Sequence, residues 1–283
     1  MVNLIDTMLS TTLQQLHILD NWQYLVLNVL GVLVMMVFGC YAARKSAFSW
    51  IKALVYVAGI PVVFLIGIRL AYLFFYADIN DPAIHFWDMT LHGFSLYGGL
   101  ILVVIYSVII AWLSHIRVWN WLDIHAIGLM GYVALGKVGC FVNGCCFGSP
   151  TIMPWGISYA SNSQAYNYYI AQAFNHISIN AWTVYSDRIH PVQLYEVIIA
   201  VALLIIAYLL IRRKILPGVV FLICAAVYSL ARLGLLFLRA TPEMGTYFYM
   251  LPGLYVAVAG LSLAILLLRL YFQYILVNRG SDL

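Results

Sequence analysis

Apolar residues run through this chain in blocks too long for a soluble helix. They cover roughly residues 24–43, 53–76, 94–114, 121–139, 192–211, 216–238 and 252–275. A membrane's hydrocarbon core of about 30 Å takes about 20 such residues as a helix. The pattern therefore predicts seven transmembrane helices, with Asp123, His125 and four glycines making the fourth block the least apolar. Helices rather than a barrel follow from block length, because a barrel strand needs only about 10 alternating residues.

Composition supports this. The 283 residues are 65% hydrophobic and 8% charged, with mean hydropathy +0.97, whereas a soluble domain carries roughly 25% charged residues. The expectation is an all-α integral membrane protein, a single transmembrane domain over 1–283. Residues 1–20 lack a basic start followed by an apolar core, so no cleavable signal peptide is expected. Arg44, Lys45 and Lys52, Arg117, the trio Arg212, Arg213 and Lys214, and Arg279 all fall on one side of the alternating spans. The positive-inside rule makes that side cytoplasmic, with the N-terminus outside and the C-terminus inside. The opposite segments, 77–93, 140–190 and 239–251, carry Asp78, Asp81, Asp88, Asp187 and Glu243. The longest of them, about 140–190, predicts a small periplasmic head. A net charge of +4 gives no reason to expect a nucleic-acid partner.

Charges inside apolar spans are expensive, about 2.5–3.5 kcal/mol at mid-membrane on insertion scales, and so point to function. Arg69, Asp123, Lys137, Glu196, Arg232 and Arg239 lie inside spans or at their ends. Lys137, Arg232 and Arg239 all come near the outer leaflet in this topology. Arg232 and Arg239 are seven apart, on one face of a helix. Three cations at headgroup level suit a lipid phosphate, which arginine grips through paired donors and lysine as a point charge. Simple snorkelling of each side chain to the interface is the alternative.

Two further polar stretches open spans. HGFSLYGGL, 92–100, enters the third, with Gly98 and Gly99 removing side chains just after Tyr97 so that a backbone or lipid chain can approach. Paired glycines also serve helix packing. RIHPVQLYE, 188–196, enters the fifth, Pro191 occupying a first-turn position and Glu196 lying about one turn inside. Glu196 there calls for a cationic partner, or forms with His190, Gln193 and Tyr195 a hydrogen-bonded knot between helices. A third stretch, GKVGCFVNGCCFG at 136–148, ends the fourth span with Lys137, Asn143 and three cysteines.

Together these stretches resemble the prolipoprotein diacylglyceryl transferase family of the bacterial inner membrane, over roughly residues 20–275. The family has a His-Gly-Gly motif entering the third span and a Gly-Arg-x-Gly-Asn-Phe-x-Asn-x-Glu-x-x-Gly signature after the fourth. It opens the fifth with His-Pro-x-Gln-Leu-Tyr-Glu and carries Tyr-x-x-x-Arg-x-x-x-Glu-x-x-Arg on the sixth. HPVQLYE matches in full, GKVGCFVNGCCFG keeps the glycine, phenylalanine and second-asparagine skeleton, and YSLARLGLLFLR keeps the tyrosine and both arginines. The resemblance implies transfer of the diacylglyceryl group of phosphatidylglycerol, or another anionic phospholipid, to the lipobox cysteine of a preprolipoprotein. A thioether forms, glycerol 1-phosphate leaves, and no cofactor or metal is required. It assigns catalysis to Tyr97, Arg232 and Arg239, and phospholipid binding to Lys137, Asn143, Gly98, Gly99, His190, Gln193, Tyr195 and Glu196.

This chain departs from the family pattern at several positions. Tyr97 stands where the family has His, Lys137 where it has Arg, Cys140 and Cys145 where it has Asn and Glu, and Leu236 where it has the sixth-span Glu. Tyrosine, with an ordinary pKa near 10, is a poor base at neutral pH, so His92, five residues earlier, is the expected substitute. A different acceptor, or a catalytically silent lipid-binding scaffold, fits the same departures. Outside the cytoplasm thiols oxidise, so a disulfide between Cys140 and either Cys145 or Cys146 is expected. The C-x4-C-C spacing without histidine gives only a weak zinc signal. Cys40 and Cys224 fall in apolar spans as small packing residues.

Overall fold

A computed structural model describes residues 22–46, 48–75, 96–160, 163–175, 188–240 and 250–280. The long helices are α1 (Trp22–Lys45), α2 (Trp50–Phe75), α3 (Leu96–Leu113), α4 (Val118–Val142), α6 (Val192–Arg212), α7 (Val219–Leu235) and α8 (Met250–Gly280). A short helix, α5 (Gln164–Asn175), lies between α4 and α6. Among the described residues six helices are long and apolar enough to cross a membrane, and Tyr97–Leu113 is apolar but shorter. Seven spans were expected. At about 1.5 Å per residue, α3 reaches just short of a 30 Å core. Among the described residues extended pairing is limited to isolated bridges.

The least apolar helix, α4, is the centre of the bundle. It packs against α1, α3, α6 and α7, and its polar residues Asp123, His125 and Lys137 are all buried. Outer faces of the other helices present leucine, isoleucine and valine, such as Leu33, Leu54, Ile109 and Ile205, as a lipid-facing surface requires. The α2–α3 pair is brought together by small residues. A Cβ on Gly98 would stand 2.5 Å from the Gly67 carbonyl oxygen and 2.2 Å from Ala71 Cβ, so the backbones meet there with no room for a side chain.

Two polar knots hold the helices in register at depth. His125 Nδ1 donates to the Trp121 carbonyl at 2.7 Å, which leaves Nε2 to accept from the Tyr56 hydroxyl. Tyr56 also bonds Ser107 at 3.0 Å, joining α2, α3 and α4. At the end of the bundle where α4 and α7 begin, Asp123 accepts from the backbone N–H of Gly218 at 2.6 Å and of Phe221 at 2.9 Å. A carboxylate on one helix thus caps the open N–H groups of another, the electrostatically favoured end for an anion. Arg269 completes this end, donating to the Pro217 carbonyl at 2.6 Å and lying 4.1 Å over the Trp119 ring.

At the opposite end, the chain after α4 forms the head. Bridges join Gly148 to Arg239 and both Pro150 and Ile157 to Ile189. Phe147, Ala165, Ile189 and Ala240 make its small core.

Asp123→Ala leaves two N–H groups without their acceptor and should destabilise the protein by about 1–3 kcal/mol. Thermal unfolding of the variant in detergent should show a lowered Tm; an unchanged Tm would show that water replaces the cap.

Candidate active site

The site is built around Glu196, on the first turns of α6 and 1% exposed. Its Oε1 lies 2.9 Å from Lys137 Nζ on α4 and 2.6 Å from Arg232 Nη1 on α7. Oε2 accepts from the Tyr228 hydroxyl at 3.0 Å. Arg232 extends the network by donating through Nη2 to the Tyr255 hydroxyl at 3.0 Å on α8, and its guanidinium lies 5.5 Å from that ring's centroid. Glu196 therefore joins three helices directly and a fourth through Arg232. Such a carboxylate needs these partners, because an unpaired charge in this environment is strongly destabilising.

Tyr97, at the start of α3, packs edge-on to Tyr255 at 4.9 Å between centroids and stacks on Tyr228 at 6.4 Å. Its hydroxyl bonds Ser229 Oγ. Lys137, Arg232, Arg239, Tyr97, Tyr228 and Tyr255 all line one cavity of about 520 Å³. Leaving these polar residues, the cavity follows apolar walls: Leu25, Val29 and Leu33 of α1 and Phe64, Leu65 and Ile68 of α2. Leu25, Val29, Leu33 and Leu65 are exposed, so the cavity meets the lipid-facing surface between α1 and α2. A second cavity of about 230 Å³ shares Tyr97 and Tyr228 with the first and is otherwise lined mainly by apolar side chains. Among the described residues the polar end gathers Lys137, Arg232 and Arg239, with the Glu196 carboxylate paired to the first two.

The other expected site residues lie around the cavity rather than on it. Gly98 and Gly99 face α2, where Gly67, Ala71 and Ile68 fill the space a side chain would need. Gln193 Nε2 donates to the Cys145 carbonyl at 2.7 Å and to Tyr159 at 3.1 Å, tying α6 to the head. His190 Nδ1 is 3.2 Å from the Tyr195 hydroxyl, which accepts from Trp155 Nε1 at 2.8 Å. Asn143 ends α4, its N–H bonded to the Gly139 carbonyl at 2.9 Å. His92 lies outside the described residues.

The disulfide candidates Cys140, Cys145 and Cys146 are free cysteines in this structure, with all three Sγ atoms within 4.8 Å of one another. Beyond the end of α4, hydrogen bonds from Cys140 and Cys145 hold the Cys146 thiol well below its ordinary range, against the effect of burial and helped by the Arg239 and Lys137 charges. The Cys145 thiol is pushed up to about 12: the hydrogen bond with Cys140 opposes the rise, while that with Cys146 and burial carry it.

Sequence reasoning passed over three cavity residues. Tyr228 carried a signal as the tyrosine of YSLARLGLLFLR. Asn28, which accepts from Tyr132 at 2.9 Å, carried one as a lone amide in an apolar run. Tyr255 carried none, since an aromatic near the end of a span reads as an interfacial anchor.

The profile of the family described as prolipoprotein diacylglyceryl transferase matches residues 12–275. A phosphatidylglycerol–prolipoprotein diacylglyceryl transferase of Campylobacter lari is 26% identical over 280 residues, 93% of this chain and 92% of its own length. A protein of the same name from Campylobacter jejuni is 24% identical over 253 residues, 81% of this chain and 79% of its own. One from Sinorhizobium medicae is 27% identical over 184 residues, and there the alignment spans 62% of this chain and 57% of the relative. With most of its length matched by that profile, the chain belongs to the prolipoprotein diacylglyceryl transferase family, a family of membrane transferases.

Proposed function

We propose that this protein transfers the diacylglyceryl group of phosphatidylglycerol to the lipobox cysteine of preprolipoproteins. The reaction takes place in the bacterial inner membrane, with the cationic cavity towards the periplasm and α3 as a seventh span. The observation that carries this is the cavity itself. One end holds three cations and a tyrosine cluster, while apolar walls run to an opening between α1 and α2. A phospholipid has this same division: a phosphate at one end and acyl chains at the other. The head group sits among Lys137, Arg232 and Arg239, and the chains leave between the two helices. The acceptor sulfur attacks the glyceryl carbon, the C–O bond breaks, and the phosphate oxygen takes the electron pair. Charge developing on that oxygen falls next to the cations, the arrangement that lowers such barriers most.

Sidedness draws on the alternation of the helices. The ends bearing Lys137, Arg232 and Tyr255 lie together at the cavity. Arg44, Lys45, Arg117, Arg212, Arg213 and Lys214 belong to the opposite ends, which the positive-inside rule assigns to the cytoplasm.

Purified protein incubated with labelled phosphatidylglycerol and a lipobox peptide should yield the peptide thioether and glycerol 1-phosphate. Label released without a peptide thioether would identify another acceptor, and lipid binding without turnover would identify a silent scaffold. Arg232→Ala should lower turnover by about a hundredfold or more, the scale of losing a donor to a developing oxyanion. Near-normal turnover would remove the phosphate clamp. His92 is the proposed base, so His92→Ala should abolish transfer while Tyr97→Phe keeps part of it; the reverse outcome assigns the role to Tyr97. Glu196→Gln should cost about 3–5 kcal/mol of stability by leaving buried cations without their carboxylate. The drop in Tm should shrink when anionic phospholipid is added, and an equal drop with and without lipid would place the phosphate elsewhere.

A further inference from the structure

Three cysteines gather at the C-terminal end of α4, two of them on the cavity wall, and lipid binding does not account for them. Cys140 and Cys146 line the cavity beside Lys137 and Arg239. All three Sγ atoms lie within 4.8 Å of one another. With Zn–S bonds of about 2.3 Å, sulfurs in a tetrahedral zinc site stand about 3.8 Å apart. Shifts of about 1 Å or less therefore bring these three to ligating positions. A disulfide takes two of them and strands the third, whereas a metal ion takes all three.

Local sequence builds the cluster. Asn143 ends the helix and Gly144 turns the chain at φ +65°. Cys145 N–H bonds the Cys140 carbonyl at 3.1 Å, so the chain folds back over its own helix end. Cys146 takes φ +58°, a left-handed conformation that non-glycine residues rarely adopt. Gln193 then fixes the turn through its bond to the Cys145 carbonyl.

We propose that Cys140, Cys145 and Cys146 form a three-thiolate site for a thiophilic divalent cation, zinc in the first instance, with the fourth coordination position open to the cavity. Thiolates select such ions over magnesium or calcium, which prefer oxygen ligands. Three thiolates around Zn²⁺ carry one net negative charge, and the Lys137 and Arg239 charges reach Cys146 to offset it. Among the described residues the cluster holds these three ligands and no fourth. Three protein ligands with one open position is the pattern of a reactive zinc site, whereas structural sites are closed by four.

The ligand that suits the open position is another thiol. On the transferase reading above, on which this step rests, it is the acceptor cysteine. Coordination lowers the pKa of that thiol, and His92, the base proposed above, takes its proton. Its sulfur then forms the S–C bond as the C–O bond to phosphate breaks, and the departing oxygen keeps the electron pair beside Arg232 and Arg239. Zinc would thus make the acceptor thiol acidic enough to ionise without help from the tyrosine at position 97.

The test uses reduced full-length protein in detergent, loaded with Co²⁺ as a spectroscopic substitute for zinc. Expected are about one metal per chain, an intense thiolate-to-cobalt charge-transfer band, and a change in the ligand-field bands when N-acetylcysteine amide is added. C140S and C146S should each weaken Co²⁺ binding at least tenfold, with the Tm of each variant in detergent showing that it is folded. Absence of the charge-transfer band in reduced wild-type protein, or a disulfide among the three in protein thiol-blocked at lysis, would overturn the site. A cobalt spectrum indifferent to added thiol would overturn the open position. Thioether formation at full rate by chelated, metal-free protein would overturn the activation step and leave the transferase reading standing. A normal cobalt spectrum without any lipid transfer would do the converse.

Discussion

A single buried carboxylate sets the arrangement of the site. Glu196 receives Lys137 and Arg232 on one oxygen and Tyr228 on the other, so α4, α6 and α7 can each take only one depth relative to the others. Tyr255 attaches α8 through Arg232. In a membrane, apolar faces pack on one another and on lipid alike, so hydrophobic contact discriminates poorly between registers. A charge network that must be complete discriminates strongly, because each missing partner leaves a buried ion. The network's value lies in placing the helices more than in net stability, since well-packed apolar residues often stabilise as much as a buried ion pair.

That constraint also alters the meaning of the cations. From the sequence alone, Lys137, Arg232 and Arg239 appear as three charges facing a phosphate. In the fold, Glu196 already takes one donor from Lys137 and one from Arg232. These side chains are consequently positioned before any ligand arrives, and side chains already ordered lose less entropy on binding. Arg232 and Lys137 keep donors beyond those that Glu196 occupies, a guanidinium presenting five N–H groups and an ammonium three. The buried acid acts as a spacer that keeps mutually repelling cations together in a ligand's absence.

The spans were legible because membrane helices announce themselves by length and hydropathy, and the expensive charges were legible for the same reason. Lys137, Glu196, Arg232 and Arg239 were each identifiable as residues needing an explanation. Their pairing was not, because it depends on how α4, α6 and α7 rotate about their axes. The helix with the weakest apolar signal, α4, is central for the very reason that its signal is weak: Asp123, His125 and Lys137 point into the protein, where partners exist. Asp123 could not be read as the cap of α7, which lies 95 residues away in sequence. The glycines after Tyr97 admitted either a lipid chain or another backbone, and in the fold they receive α2. The disulfide expectation rested on compartment chemistry, and the proximity of all three sulfurs became visible only in the fold.

The departures from the family pattern then fall into a spatial order. Tyr97, Lys137 and Cys140 line the cavity, whereas Cys145 and Leu236 are not among its lining residues. Tyrosine for histidine removes a group that titrates near neutrality, and lysine for arginine removes a fork of donors while keeping the charge. Both losses concern the handling of a proton and of a phosphate. The added thiols lie against the cations that remain, where a negative charge on sulfur is favoured. The Glu196 network behind these positions keeps the carboxylate, the tyrosine and a cation from each of two helices. The helices that build the cavity wall are thus held in register by the same interactions, whatever other side chains face the cavity.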